Sequence, residues 1–163
     1  MTGLLALLLG ALVAGLPAAA NAQTAEAELQ DAQGNVVGTA TLVEAPGGVR
    51  MALRVRGLRP GDHGVHIHAV GKCEPPAFSS AGDHYNPRNK KHGRQNPEGP
   101  HAGDLGNLSV GASGAGATVA TAAGVALADA VGLALIVHAD PDDEKTDPAG
   151  NAGARVACGV IAK

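Results

Sequence analysis

The stretch Val49-Arg50-Met51-Ala52-Leu53-Arg54-Val55-Arg56 alternates apolar residues with basic or small ones. Successive side chains of a strand point to opposite faces, so this period of two marks a half-buried β-strand. Ala25 to Gln30 reads as a first strand, with Ala32-Gln33-Gly34-Asn35 as its turn. Asn35 to Val43 reads as the next, and Pro46-Gly47-Gly48 turns it back into the 49–56 strand. His63 to Val70, Leu133 to His138 and Arg155 to Ile161 are further runs of strand character. Ala112 to Ala130 is alanine-rich, but Gly114, Gly116 and Gly124 argue against one long helix, and short strands and turns are expected there. The chain should fold as an all-β domain, a sandwich or barrel.

Two segments break this pattern. Gly71 to Gly106 is long and polar and carries Pro75, Pro76, Pro87, Pro97 and Pro100; Ala139 to Gly153 is acidic and rich in turn residues. Loops of this length in a small domain are usually functional. The 163 residues suffice for one domain with a moderate core. Residues 1–22 read as a secretory signal: the apolar run Leu4 to Leu16 is followed by Pro17 and an A-x-A-type site, Ala20-Asn21-Ala22, although no Lys or Arg precedes the run. The run is too short for a membrane span, and no Cys follows it to carry a lipid anchor. The mature domain would cover 23–163, exported to the periplasm or beyond. Its two cysteines, Cys73 and Cys158, most simply form one disulfide in an oxidising compartment.

The histidines carry the chemistry. His66 and His68, two apart in a strand, face the same way, with Val65 and Ile67 on the other side; His63 has the opposite phase and should lie off the site. His66, His68, His84, His92, His101 and His138 with Asp104 make seven donors, and five of the seven histidines fall between Gly64 and Gly103. Two four-coordinate metal ions need eight positions, so either a water fills the gap or one imidazole bridges both ions. Nitrogen donors in tetragonal geometry suit Cu(II), and tetrahedral nitrogen and oxygen donors suit Zn(II). The donor count therefore points to a copper–zinc pair sharing one histidine.

Other function classes lack support. Net charge is −3, there is no basic stripe, and Phe78 and Tyr85 are the only aromatics beside the histidines. Nucleic-acid binding by phosphate contacts or base stacking has no footing. The glycine-rich Gly111 to Gly116 lacks both the strand-to-helix context and the Lys of a phosphate loop.

From about Ala25 to Lys163 the chain resembles the copper/zinc superoxide dismutases of the bacterial exported kind. The resemblance is carried by Gly64-Val65-His66-Ile67-His68, Ser80-Ala81-Gly82-Asp83-His84-Tyr85-Asn86-Pro87, Lys91-His92-Gly93, His101-Ala102-Gly103-Asp104-Leu105-Gly106-Asn107, Val137-His138 and Gly150-Asn151-Ala152-Gly153-Ala154-Arg155-Val156-Ala157-Cys158-Gly159. It implies a Greek-key β-sandwich or barrel with two long functional loops, and dismutation of superoxide to O₂ and H₂O₂. It also implies roles. His66, His68, His84 and His138 would hold copper; His84, His92, His101 and Asp104 would hold zinc, with His84 as the bridge and a proton carrier. Arg155 would guide the anion, Asp142 would join His66 to His92, and Cys73 and Cys158 would form the family disulfide. Lys145 could add positive potential near the mouth, but as a loop lysine it is expected to be solvated. The loop from Ala139 to Ala154 is shorter than in eukaryotic members and lacks their charged guiding cluster. A copper-delivery or metal-buffering protein on the same fold, or a non-catalytic secreted sandwich, are the rival readings. The oligomeric expectation is a homodimer or a monomer without a membrane anchor.

Overall fold

A computed structural model describes residues 23–163; the expected leader, 1–22, lies outside the described residues. Eight strands form: β1 (Thr24–Gln30), β2 (Val36–Ala45), β3 (Gly48–Val55), β4 (Gly61–His68), β5 (Asp104–Val110), β6 (Gly116–Ala123), β7 (Ala134–His138) and β8 (Arg155–Val160), with one turn of α-helix, α1 (Leu127–Ala130), and a 3₁₀ turn at Ser79–Ala81. They close into an antiparallel barrel in the order β1-β2-β3-β6-β5-β4-β7-β8. The connections from β3 to β4 and from β6 to β7 pass over other strands, which is the Greek-key arrangement. Closure is narrow at two seams. β5 meets β6 at Val110 and Gly116, and β1 meets β8 at Gln30 and Cys158. The barrel is thus two four-stranded halves facing one another, which explains why sandwich and barrel both describe the sequence pattern.

Period-two alternation builds the core. Leu29, Leu42, Met51, Leu53, Ile67, Leu108 and Leu135 are almost completely buried inside the barrel. Each such side chain contributes roughly 1.5–3 kcal/mol relative to exposure. β4 and β7 differ from the other strands because both of their faces are buried. Val65, Ile67, Leu135 and Val137 face the barrel core. By alternation His66, His68, Ala134, Ile136 and His138 face outward. The loops 69–103 and 139–154 cover that outer face, where Phe78, Ala81, Ala134, Ile136 and Cys158 form a small second apolar cluster. Cys73 and Cys158 are bonded, pinning the first loop to β8 across 85 residues of chain.

One strand is not evident from the sequence. The polar segment expected to run as a loop to Gly106 ends earlier, and β5 begins at Asp104. Asp104, Asn107 and Ser109 mask its alternation, and Gly103 and Gly106 suggest turns. β5 is held instead by its register on β4, from Gly61–Val110 to His66–Asp104. The alanine-rich segment becomes β6 and the one-turn α1, with the chain turning at Gly124.

Candidate metal centre

The first loop returns beside β4 and brings its histidines with it. His84 bridges to His68 through the backbone. The Tyr85 amide donates to the Ile67 carbonyl at 2.8 Å, the Ile67 amide to Gly103 at 2.9 Å and the Gly103 amide to Tyr85 at 2.9 Å. Gly103 must be glycine here, because a Cβ would stand 2.3 Å from the Ile67 carbonyl oxygen. The result is one cluster containing His66, His68, His84, His92, His101, Asp104 and His138, all buried.

Hydrogen bonds at the periphery fix which ring nitrogens face inward. His68 Nδ1 lies 2.8 Å from the Gly82 carbonyl and His138 Nδ1 lies 3.2 Å from the Gly153 carbonyl. A carbonyl can only accept, so each Nδ1 carries the proton and each Nε2 presents a lone pair. Those two Nε2 atoms face one another at 3.4 Å. Two lone pairs at that distance repel unless a cation lies between them. Asp142 does the same for the other rings: its Oδ2 accepts from His66 Nε2 at 2.8 Å and its Oδ1 from His92 Nε2 at 2.9 Å. This leaves His66 Nδ1 and His92 Nδ1, together with His84 Nε2, as buried nitrogens with no hydrogen-bond partner. Buried polar atoms are rarely left so, and three in one cluster imply a missing ligand.

Two donor groups follow. His66, His68, His84 and His138 bring one nitrogen each within 4.8 Å of the others. Around Asp104 Oδ1 gather His84 Nδ1 at 3.0 Å, His92 Nδ1 at 3.1 Å and His101 Nδ1 at 3.3 Å. His66 also lies within range of this second group, but its Nε2 is held by Asp142 and its one free nitrogen serves the first. Asp104 Oδ2 is fixed by the amides of Gly93 and His101, both at 2.9 Å. His84 stands between the groups, offering Nε2 to one and Nδ1 to the other.

Electrostatics distinguish the groups. Burial is the main cause that pushes His66 down to about 4, His68 to about 2 and His138 to about 3, so all three keep free lone pairs at neutral pH. At His92 burial also acts downward, but the carboxylates of Asp104 and Asp142 outweigh it and raise the ring to about 9. Burial acts to raise both carboxyls, yet the bonds from their histidine partners hold them well below the usual carboxylate range. Within the second group burial lowers His101 instead, so the pull on positive charge there comes from the Asp104 carboxylate.

A cleft of about 770 Å³ reaches His68, His84, His138 and Arg155, and also His101 of the second group. Arg155 is half-buried and fixed, donating from Nη1 to the Phe78 carbonyl at 2.7 Å and from Nη2 to the Gly82 carbonyl at 2.6 Å. Gly82 thus orients both the His68 ring and the Arg155 guanidinium. His63 lies apart from the donors; its two nitrogens sit 2.7 Å from the carbonyls of His138 and Arg59. Lys145 is not among the cleft's lining residues, whereas Lys90, Lys91 and Asp147 are. Asp147 escapes sequence reading because it lies in an acidic loop. It binds the His92 amide at 2.8 Å and Lys91 Nζ at 3.1 Å.

Comparison with known proteins agrees with this geometry. Residues 36–161 match the family described as copper/zinc superoxide dismutase (SODC). The chain is 47% identical over 146 residues to Superoxide dismutase [Cu-Zn] 2 of Aquifex aeolicus, covering 84% of this chain and 85% of that one. It is 43% identical over 148 residues to Superoxide dismutase [Cu-Zn] of Caulobacter vibrioides, covering 85% of each. The solved structure of the Cu/Zn superoxide dismutase from Brucella abortus superposes with a TM-score of 0.76 at 35% identity, covering 85% of this chain and 99% of that one. With a family match spanning residues 36–161 and relatives 43–47% identical over most of their length, the chain belongs to the copper/zinc superoxide dismutase family.

Proposed function

We propose that this protein dismutates superoxide at a copper–zinc pair, copper held by His66 Nδ1, His68 Nε2, His84 Nε2 and His138 Nε2, and zinc by His84, His92 and His101 Nδ1 with Asp104 Oδ1. The observation that carries the reading is the set of inward nitrogens left after every peripheral hydrogen bond is counted. The first group, all nitrogen, suits copper, and the second, three nitrogens and a carboxylate, suits zinc. Copper held by His66, His68, His84 and His138 would supply the one-electron redox chemistry that dismutation requires.

The chain's own residues supply the rest. Arg155, fixed by two carbonyls beside His68, attracts the anion and holds it at the floor of the cleft. His84 Nε2 is buried between the two groups and can hold and release one of the two protons that product formation requires. Asp142 keeps the His66 and His92 rings in one tautomer and orientation. All the donors come from one chain, so the reading needs no partner copy. Export is part of the same proposal, supported by the Cys73–Cys158 disulfide.

Fast superoxide-decay kinetics on protein loaded with both metals, with elemental analysis of the same sample, is the test. One copper and one zinc per chain with decay far above that of the metal-free protein is the expected result. Full loading without accelerated decay would overturn the enzymatic reading and leave copper delivery or buffering.

A further inference from the structure

Residues 88–94 hold Arg88, Lys90, Lys91 and Arg94, four of the chain's 12 lysines and arginines, and no acidic residue. Anion attraction at the metal cleft does not account for all four. Lys91 lines that cleft and is paired with Asp147 at 3.1 Å. Arg88 and Arg94 do not line it. With Lys90 they line a separate depression of about 300 Å³, bounded by Thr121 and Ala123 of β6 and by His101 and Asp104. The net charge of the whole chain is −3, so this concentration of cations runs against the overall balance.

Both guanidiniums are held in place. Arg88 Nη2 donates to the Ala123 carbonyl at 2.9 Å, and a Cβ on Gly124 would come within 2.7 Å of its Nη1. Arg94 pairs with Glu144, and a Cβ on Gly106 would come within 2.0 Å of its Nη2. Each guanidinium has five N–H groups, and these contacts use one donor nitrogen of each. Lys90 has its backbone tied to Asn86 at both N–H and C=O, and its Nζ has no acceptor among the described residues. The one acidic residue in the lining is Asp104, both of whose oxygens are occupied by the histidine cluster and by backbone amides. Three cations around one concavity, with fixed guanidiniums and no free carboxylate, have the composition of an oxyanion site.

We propose that this depression binds a tetrahedral oxyanion of the phosphate class through Arg88, Lys90 and Arg94. The inference goes beyond superoxide turnover and does not depend on it. Arg88 and Arg94 lie on either side of His92, so a bound anion ties the histidine-bearing loop to the β6 wall.

The experiment is an NMR titration of the protein carrying zinc and reduced copper, a diamagnetic form, with inorganic phosphate at fixed ionic strength. Saturable shifts at the amides of Gly99, Thr121 and Ala123, with a Kd on the order of 1 mM, are expected. They should weaken about tenfold or more in both Arg88→Gln and Lys90→Gln, the second variant leaving the Arg88–Ala123 contact in place. Shifts that rise linearly without saturation, that persist at full strength in both variants, or that appear only around Gly82 and Arg155 would each overturn the proposal. In those cases Arg88 and Arg94 serve as loop staples only.

Discussion

At the scale of the residue, the Gly82 carbonyl links recognition to the metal cluster, because it accepts from both His68 and Arg155. Arg155→Ala therefore removes a charge and two loop anchors together. Its catalytic rate should fall about tenfold, equivalent to about 1.4 kcal/mol of transition-state stabilisation, and its salt dependence should weaken. Arg155→Lys should recover the salt dependence but not the whole rate, since a single ammonium cannot reproduce the two-carbonyl fork. Superoxide decay measured against ionic strength checks both; a wild-type rate at low salt in Arg155→Ala would show the residue to be structural. Asp142→Asn makes a different point. An amide cannot accept from both His66 and His92 with its oxygen and nitrogen in their present places, so one ring must change tautomer or turn. Metal retention against a chelator should drop by roughly 10–100-fold while the barrel persists. The donors were legible in the sequence because imidazole and carboxylate types announce themselves. The lining cations Lys90 and Lys91 are not marked out by the sequence, and Lys145, the lysine that the acidic loop offers, does not line the cleft. Which lysine reaches a cleft depends on how a 35-residue loop folds back, and local sequence does not encode that.

At the scale of the element, β1, β2, β3, β7 and β8 are legible in the sequence to within two residues at each end. β5 is not, because its apolar residues Leu105 and Leu108 are separated by a glycine and an asparagine, and its place is set by pairing with β4. The loop between β7 and β8 is ordered by its own acids. Asp142 and Asn107 exchange backbone-to-side-chain bonds of 2.8 and 2.9 Å that dock the loop on β5. Asp143 accepts from Lys145 N, Thr146 N and Oγ1, and Asn151 Nδ2. These bonds, led by the Thr146 hydroxyl, lower the Asp143 carboxyl from 3.8 to about 2. A depressed carboxylate pKa stabilises the folded loop fully above the unfolded value and loses that contribution as pH falls through the folded one. The protection of the Lys145 and Thr146 amides, taken relative to their intrinsic exchange rates at each pH, should thus be unchanged down to about pH 4 and fall between 3.8 and about 2. Asp143→Ala should show the faster exchange already at neutral pH; unaltered protection in that variant would mean the turn does not depend on this carboxylate. Gly150 is the loop's other constraint. Its φ is +62°, and a Cβ would stand 1.9 Å from Asp142 Oδ1 and 2.5 Å from His92 Nε2. Gly150→Ala should therefore separate that pair and reproduce much of the metal loss of Asp142→Asn, as the same chelator competition would show.

At the scale of the whole molecule, the barrel and its loops rest on different forces. The barrel encloses a continuous apolar core, whereas the loops cover β4, β7 and β8 over a small cluster of Phe78, Ala81, Ala134, Ile136 and Cys158. Little apolar area holds the loops down, so the first relies on the donor cluster and the disulfide, and the second on the donor cluster and the bonds of Asp142 and Asp143. Without bound cations the inward lone pairs of His68 and His138 oppose one another at 3.4 Å, which favours opening of the loops over the closed arrangement. The disulfide closes 85 residues, worth roughly 4–5 kcal/mol in the chain-entropy model, an upper value because strain is ignored. Removing both metals with a chelator should raise amide exchange across 69–103 and 139–154 while β1, β2, β3 and β6 stay protected. Adding Cys158→Ser should then lower the melting temperature of the metal-free protein, and by less when both metals are bound, because the cluster and the disulfide restrain the same loop. Hydrogen exchange and calorimetry on the four combinations measure this coupling directly. Uniform loss of protection over the barrel on metal removal would show that the core, too, is supported by the metals, and that the two forces are not separable.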